Sequence, residues 1–150
     1  MYHNILVPLD GSKGAEAILG HIEDMAMRNQ TRVILLKVQD PPIMLGRDEV
    51  IDIPAYRKKR QECRAQDECY LADIQEKFQK KGVEARCQIA CGPVVSTILD
   101  TAESEKADLI AMSTHGISRF YPEAGNSVVA GLLQKADRPL LLISENGANR

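Results

Sequence analysis

Met112-Ser113-Thr114-His115-Gly116 stands at the end of an apolar run and is followed, after a short loop, by Gly125-Asn126-Ser127. That spacing sets backbone N–H groups and small side chains beside the start of a helix. Unsatisfied donors of a first turn, together with the helix dipole, hold phosphate or another anion there. Near the other end of the chain, Pro8-Leu9-Asp10-Gly11-Ser12 follows a second apolar run and supplies turn residues with one carboxylate. The chemistry implied is recognition of an anion rather than covalent catalysis. His115 is the histidine near the loop, and no nucleophile is paired with it in the sequence; a general base must lie within ~3 Å of the group it deprotonates. A contact from His115 to backbone or ligand is the expected role.

Both segments need elements to carry them. Ile5-Leu6-Val7 reads as a strand, and Ala15, Ile18, Leu19, Ile22, Met25 and Ala26 recur at helical spacing behind the Pro8–Ser12 turn. Val33 to Val38 is apolar almost throughout, as in a parallel strand covered on both faces. From Asp40 to Pro54 three prolines and a glycine mark a long connection. A helix then runs from Arg57, its charged first half solvated and its second half carrying a stripe of Tyr70, Leu71, Ile74 and Phe78, until Gly82 ends it. Val83, Ala85, Cys87 and Ile89 alternate with polar residues, the pattern of an edge strand with one wet face. Gly92-Pro93 opens a helix with Val94, Val95, Ile98, Leu99 and Ala102 on its buried face. Asp108 to Met112 is a strand, Val128 to Ala136 a helix, Leu140 to Ile143 the last strand, and the tail from Asn146 frays.

Strands alternating with helices, joined by right-handed crossovers, give an α/β fold: a three-layer, doubly wound, five-stranded parallel sheet of order 3-2-1-4-5. In that order the winding reverses between the first and fourth strands, and ligands of open α/β sheets sit in the crevice at the carboxyl ends there. Both turn-rich segments fall at that place. The apolar last strand forms an outer edge, so a homodimer through residues 140–144 is expected to cover it.

Composition narrows the classes. At 150 residues and 44% hydrophobic content the chain suits one domain with one core, residues 1–150. A net charge of −2 supplies no field for a nucleic-acid backbone, and no run approaches the ~20 apolar residues of a membrane span. The first residues carry no secretory-signal pattern, so a cytoplasmic location is expected, with the four cysteines reduced. Cys63 and Cys69 fall on different faces of a helix, Cys87 and Cys91 lie near a strand end, and no C-x-x-C pair is present. They read as partly buried thiols rather than metal ligands.

Ile5-Leu6-Val7-Pro8-Leu9-Asp10-Gly11-Ser12, Leu35-Leu36-Lys37-Val38, Gly92-Pro93, the stretch Ala107 to Gly116, Asn126-Ser127-Val128 and Arg138-Pro139-Leu140-Leu141-Leu142-Ile143 follow one another in an order that resembles the universal stress protein family over nearly the whole chain. The resemblance implies the adenine nucleotide α-hydrolase-like fold and a stress-response role. It also implies ATP or another adenine nucleotide, with magnesium, as cofactor. Pro8, Leu9 and Asp10 would then lie at the ribose or adenine, and the Val38 backbone would meet the adenine edge. Met112, Ser113, His115 and Gly116 with Asn126, Ser127 and Val128 would wrap ribose and phosphates. The family's ATP loop reads Gly, two residues, Gly, nine residues, then Gly-Ser or Gly-Thr; this chain has Ser113, Thr114-His115, Gly116, nine residues and Asn126-Ser127. Only Gly116 of the three glycines remains, with Gly125 one position early. A Cβ at Ser113 takes up space near a phosphate, although Ser and Asn both donate hydrogen bonds. Glu123 brings negative charge to the loop, so the expected binding is weak.

Three other classes compete with that reading. A slow ATPase would need Asp10 or Glu123 to hold the metal. A phospho-receiver needs a lysine after the last strand, where the chain has Ser144-Glu145-Asn146. A protein-interaction module with an empty crevice would use the 40–55 connection or the charged start of the helix that follows. Asp10 is equally a turn residue or helix-start cap, and Asn126 with Ser127 equally an N-cap pair.

Overall fold

The computed structural model of the chain describes residues 2–11, 13–39, 53–113 and 125–143. Among them, β1 (Asn4–Leu9), α1 (Lys13–Glu16), α2 (Leu19–Asn29), β2 (Arg32–Gln39), α3 (Ile53–Lys80), β3 (Ala85–Cys91), α4 (Val94–Ser104), β4 (Leu109–Ser113), α5 (Gly125–Lys135) and β5 (Leu140–Ile143) follow in order. The sheet is parallel throughout, with order β3-β2-β1-β4-β5. This is the arrangement expected from the alternation of apolar runs and helical stripes.

Strand periodicity of two sorts the core into two layers. Ile5, Val7, Leu9, Val33 and Leu35 pack under Ile22 and Ala26 of α2 and Leu71, Ile74 and Phe78 of α3. Leu6, Ile34, Leu36, Val38, Ile110 and Met112 face the other way, onto Ile98 and Ala102 of α4 and Leu132 of α5. Central strands buried on both sides explain why β1, β2 and β4 show no polar alternation. At the amino ends, Asp108 ties β4 to β1 by accepting the His3 N–H at 2.8 Å and the Asn4 N–H at 3.0 Å.

Four expectations are corrected. The helix read from Ala15 to Ala26 is broken: α1 is one turn, Ala17 N–H reaches only back to the Gly14 carbonyl, and buried Ile18 leads into α2. The long connection is shorter than read, because Ile53 and Pro54 already belong to α3, where proline is tolerated in a first turn. β3 is an edge strand as read, yet its wet side is wider, for Cys87 is exposed and Ile89 half-buried while Val83 and Ala85 are buried. All four cysteines are exposed free thiols rather than partly buried ones.

α3 has 28 residues and β3 seven. At ~1.5 Å per helical residue and ~3.3 Å per strand residue the helix is roughly 42 Å long and the strand roughly 23 Å. Since α3 delivers the chain to the amino end of β3, the excess projects past the carboxyl edge of the sheet. Its buried residues, Leu71, Ile74 and Phe78, all lie in the second half, matching the solvated start read from the charges.

Candidate functional site

The ladders on either side of the sheet run to the strand tips. β1 pairs with β2 through Leu9 and Lys37, β2 with β3 through Gln39 and Cys91, and β4 with β5 through Ser113 and Ile143. Between β1 and β4, at the reversal of winding, the pairs are Ile5 with Leu109 and Leu6 with Ile110, although β1 continues to Leu9 and β4 to Ser113. The carboxyl halves of these two strands are therefore unpaired, at the location that topology favours for ligands.

Pro8 and Leu9 are buried strand residues that aim the turn. Asp10 is the half-buried first residue beyond β1, and Gly11 turns the chain at φ +87°, a backbone that glycine adopts without steric cost. Val38, 7% exposed, stands on the β2 side of Asp10. Met112 and Ser113 stand on the β4 side, and Ser113 is a buried strand residue, 2% exposed, rather than a loop residue. Strand spacing of ~4.8 Å puts Val38 about one strand from the β1 tip, while Ser113 stands on the other side beyond the unpaired stretch. α5 begins at Gly125, so Asn126, Ser127 and Val128 stand in its first turn. Because α5 feeds the amino end of β5, its positive end lies at the carboxyl edge of the sheet. His115, Gly116 and Glu123, the 40–52 connection, and Ser144 with the tail lie outside the described residues.

Two groups of residues were missed by sequence reasoning. α3 brings the Tyr70 hydroxyl to Asp10 and Glu16, and burial first, then the negative charges of Glu16 and Asp10, hold that phenol neutral well above the usual tyrosine range. Tyr70 was read simply as part of the core stripe. The second group sits at the β2 tip. Lys37 Nζ is 3.7 Å from Asp67 Oδ2, and Gln39 Nε2 donates to the same oxygen at 2.9 Å. Cys91 Sγ donates to Gln39 Oε1 at 3.4 Å and accepts from Arg60 Nη2 at 3.5 Å, while Arg60 Nη1 donates to the Tyr56 hydroxyl at 3.2 Å. A lysine within an otherwise apolar strand was the available signal, since such a charge needs a buried partner.

No group of three or more histidine, cysteine or carboxylate side chains able to hold a metal occurs among the described residues, and none of their helices is long and apolar enough to cross a membrane. The sequence profile of the universal stress protein family matches residues 1–144. The chain belongs to that family. A universal stress protein of Methanocaldococcus jannaschii is 25% identical to it over 159 aligned positions, covering 99% of this chain and 98% of the relative. One from Synechocystis is 28% identical over 145, covering 95% and 86%. Among solved structures, the universal stress protein of Lactobacillus plantarum superposes with a TM-score of 0.78 at 23% identity, covering 95% of this chain and 97% of that one. An Arabidopsis thaliana family member with AMP bound gives 0.68 at 18% identity, covering 98% and 94%. A universal stress protein in complex with cAMP gives 0.67 at 16%, covering 95% and 97%. At these identities the structural likeness establishes the shared fold, the adenine nucleotide α-hydrolase-like one.

Proposed function

We propose that residues 1–150 form one cytoplasmic universal stress protein domain that binds an adenine nucleotide in the crevice between β1 and β4 and acts as a regulatory or protective protein without turnover. The observation that carries this reading is the early end of the β1–β4 ladder, which leaves the carboxyl edge open between Val38, Asp10 and Ser113. AMP in one relative and cAMP in another support the choice of guest. The described polar groups fit the adenosine half. Asp10 supplies a carboxylate for ribose hydroxyls, and the β2 tip supplies backbone for the base.

Ser113, His115 and Gly116 with Asn126, Ser127 and Val128 would hold the phosphates at the start of α5, and magnesium would accompany ATP. Homodimerisation along β5 completes the reading, because Leu140, Leu141, Leu142 and Ile143 are half-buried on an outer strand.

Calorimetric titration with AMP, ADP and Mg-ATP, with a search for nucleotide released on heating, tests it. The expected dissociation constant is micromolar or weaker, about −8 kcal/mol or less in magnitude. Absence of heat with all three ligands, together with no released nucleotide, refutes the reading; ATP hydrolysis abolished by Asp10→Asn replaces it with the ATPase.

A further inference from the structure

β2 outruns β1. Its last pair with β1 is Lys37 with Leu9, while its pairing to β3 continues to Gln39 with Cys91, so Val38 and Gln39 extend alongside the Asp10–Gly11 turn. The Gln39 carbonyl accepts the Gly92 N–H at 3.3 Å and therefore faces β3. Carbonyls alternate in direction along a strand, which turns that of Val38 the other way, toward β1 and the crevice. A carbonyl there accepts from the exocyclic amine of adenine, whereas guanine presents an oxygen at the corresponding ring position. The tip's orientation thus decides which base is read.

Strand pairing on one side alone would leave this tip poorly held; Asp67 on α3 supplies the other support. Lys37 and Gln39, two residues apart and on the same face, end on one oxygen of Asp67, at 3.7 and 2.9 Å. Between them the Val38 side chain is buried on the opposite face, in the layer that α4 covers. Lys37 is 6% exposed, so loss of this carboxylate takes a partner from a buried ammonium at the same moment that it takes the acceptor from Gln39, and both holds on the strand tip weaken together. We infer that Asp67 is a positioning residue for base selection, holding the Val38 carbonyl where it distinguishes adenine from guanine. This rests on the nucleotide reading above.

The test compares AMP with GMP by calorimetry on the intact protein, and follows backbone amide exchange in the ligand-free protein. Wild type is expected to prefer AMP. In Asp67→Ala the preference falls about tenfold, equivalent to one lost interaction of ~1.4 kcal/mol, through weaker AMP binding with GMP little changed. Asp67→Asn, which keeps an acceptor for Gln39, loses less. Exchange accelerates at Val38 and Gln39 and stays slow at Val33 to Leu35. A wild type without base preference, or equal weakening of both nucleotides in Asp67→Ala, overturns the inference, since a merely structural role would act on both ligands alike. If wild type binds neither nucleotide, the proposed function fails separately, and the clamp is then decided by exchange: unchanged protection at the β2 tip overturns it and local acceleration sustains it. Should Asp67→Ala not fold, Lys37→Met with Asp67→Leu removes the ammonium together with its partner and serves the same comparison.

Discussion

Gly92→Ala is expected to be among the more damaging single-methyl additions to this chain. Gly92 joins β3 to α4 at φ +142°, a conformation L-residues rarely adopt, and holding alanine there costs about 1–3 kcal/mol. A Cβ at this position would also lie 2.8 Å from Thr97 Oγ1, closer than real Cβ contacts allow. Thr97 is buried in the first turns of α4, and a β-branched side chain in a helix has few rotamers to escape into. Overpacking of this kind adds about 1–2 kcal/mol. The sum, about 2–5 kcal/mol, is a sizeable part of the ~5–15 kcal/mol that stabilises a typical domain. Urea unfolding should register it directly, and the melting temperature should fall by roughly 5–15 °C. In a Thr97→Ala background the steric part disappears and only the backbone part persists, so the same glycine substitution should cost about half as much. A loss below about 0.5 kcal/mol in the wild-type background would refute the reasoning, because neither the backbone strain nor the clash could then be present.

The Tyr70 phenol should appear in the alkaline limb of the stability curve. The unfolded chain releases this proton near pH 10, while the folded chain, with the hydroxyl of half-buried Tyr70 beside Glu16 and Asp10, retains it; stability therefore falls as pH rises above about 10 and is unaffected by this group below that. Urea unfolding between pH 8 and 11 should show that fall in wild type and a flatter curve in Tyr70→Phe; equal slopes would contradict the assignment. Along β5, the Ile110 N–H donates to the Pro139 carbonyl, so alternation turns the backbone groups of Leu140 and Leu142 away from β4. Leu142→Pro then removes an outward donor while sparing the β4 ladder, and light scattering should report monomers with helical content retained. A dimer that survives the substitution would place the proposed interface elsewhere.

The sheet was legible because its signals were redundant. Val33 to Val38 could only be a doubly covered strand, and the Val83 to Ile89 alternation could only be an edge, so the order followed from winding rules. Local competition hid other features. Ala15 to Ala26 has a continuous apolar stripe, yet the chain breaks at Ala17 and Ile18, which spacing alone does not reveal. Asp67 was indistinguishable from its solvated neighbours Glu62 and Glu68, since its role comes from Lys37, 30 positions earlier, and exists only once α3 lies across β2. Of the site, Asp10, Val38 and Ser113 were legible as residues of strand ends. The Tyr70 hydroxyl was not, because its partners come from the β1 tip and α1.

The overhang of α3 divides one helix into two thermodynamic parts. Its rear, anchored by Leu71, Ile74 and Phe78, can open only when the hydrophobic layer beneath it opens. Its front turns bury no apolar side chain, and polar contacts such as those from Arg60 to Cys91 and from Asp67 to Lys37 and Gln39 hold them instead. Heat or mild denaturant should unravel this front from its first residue backward while the rear stays wound, a partial melting confined to the carboxyl rim on the β2–β3 side of the sheet.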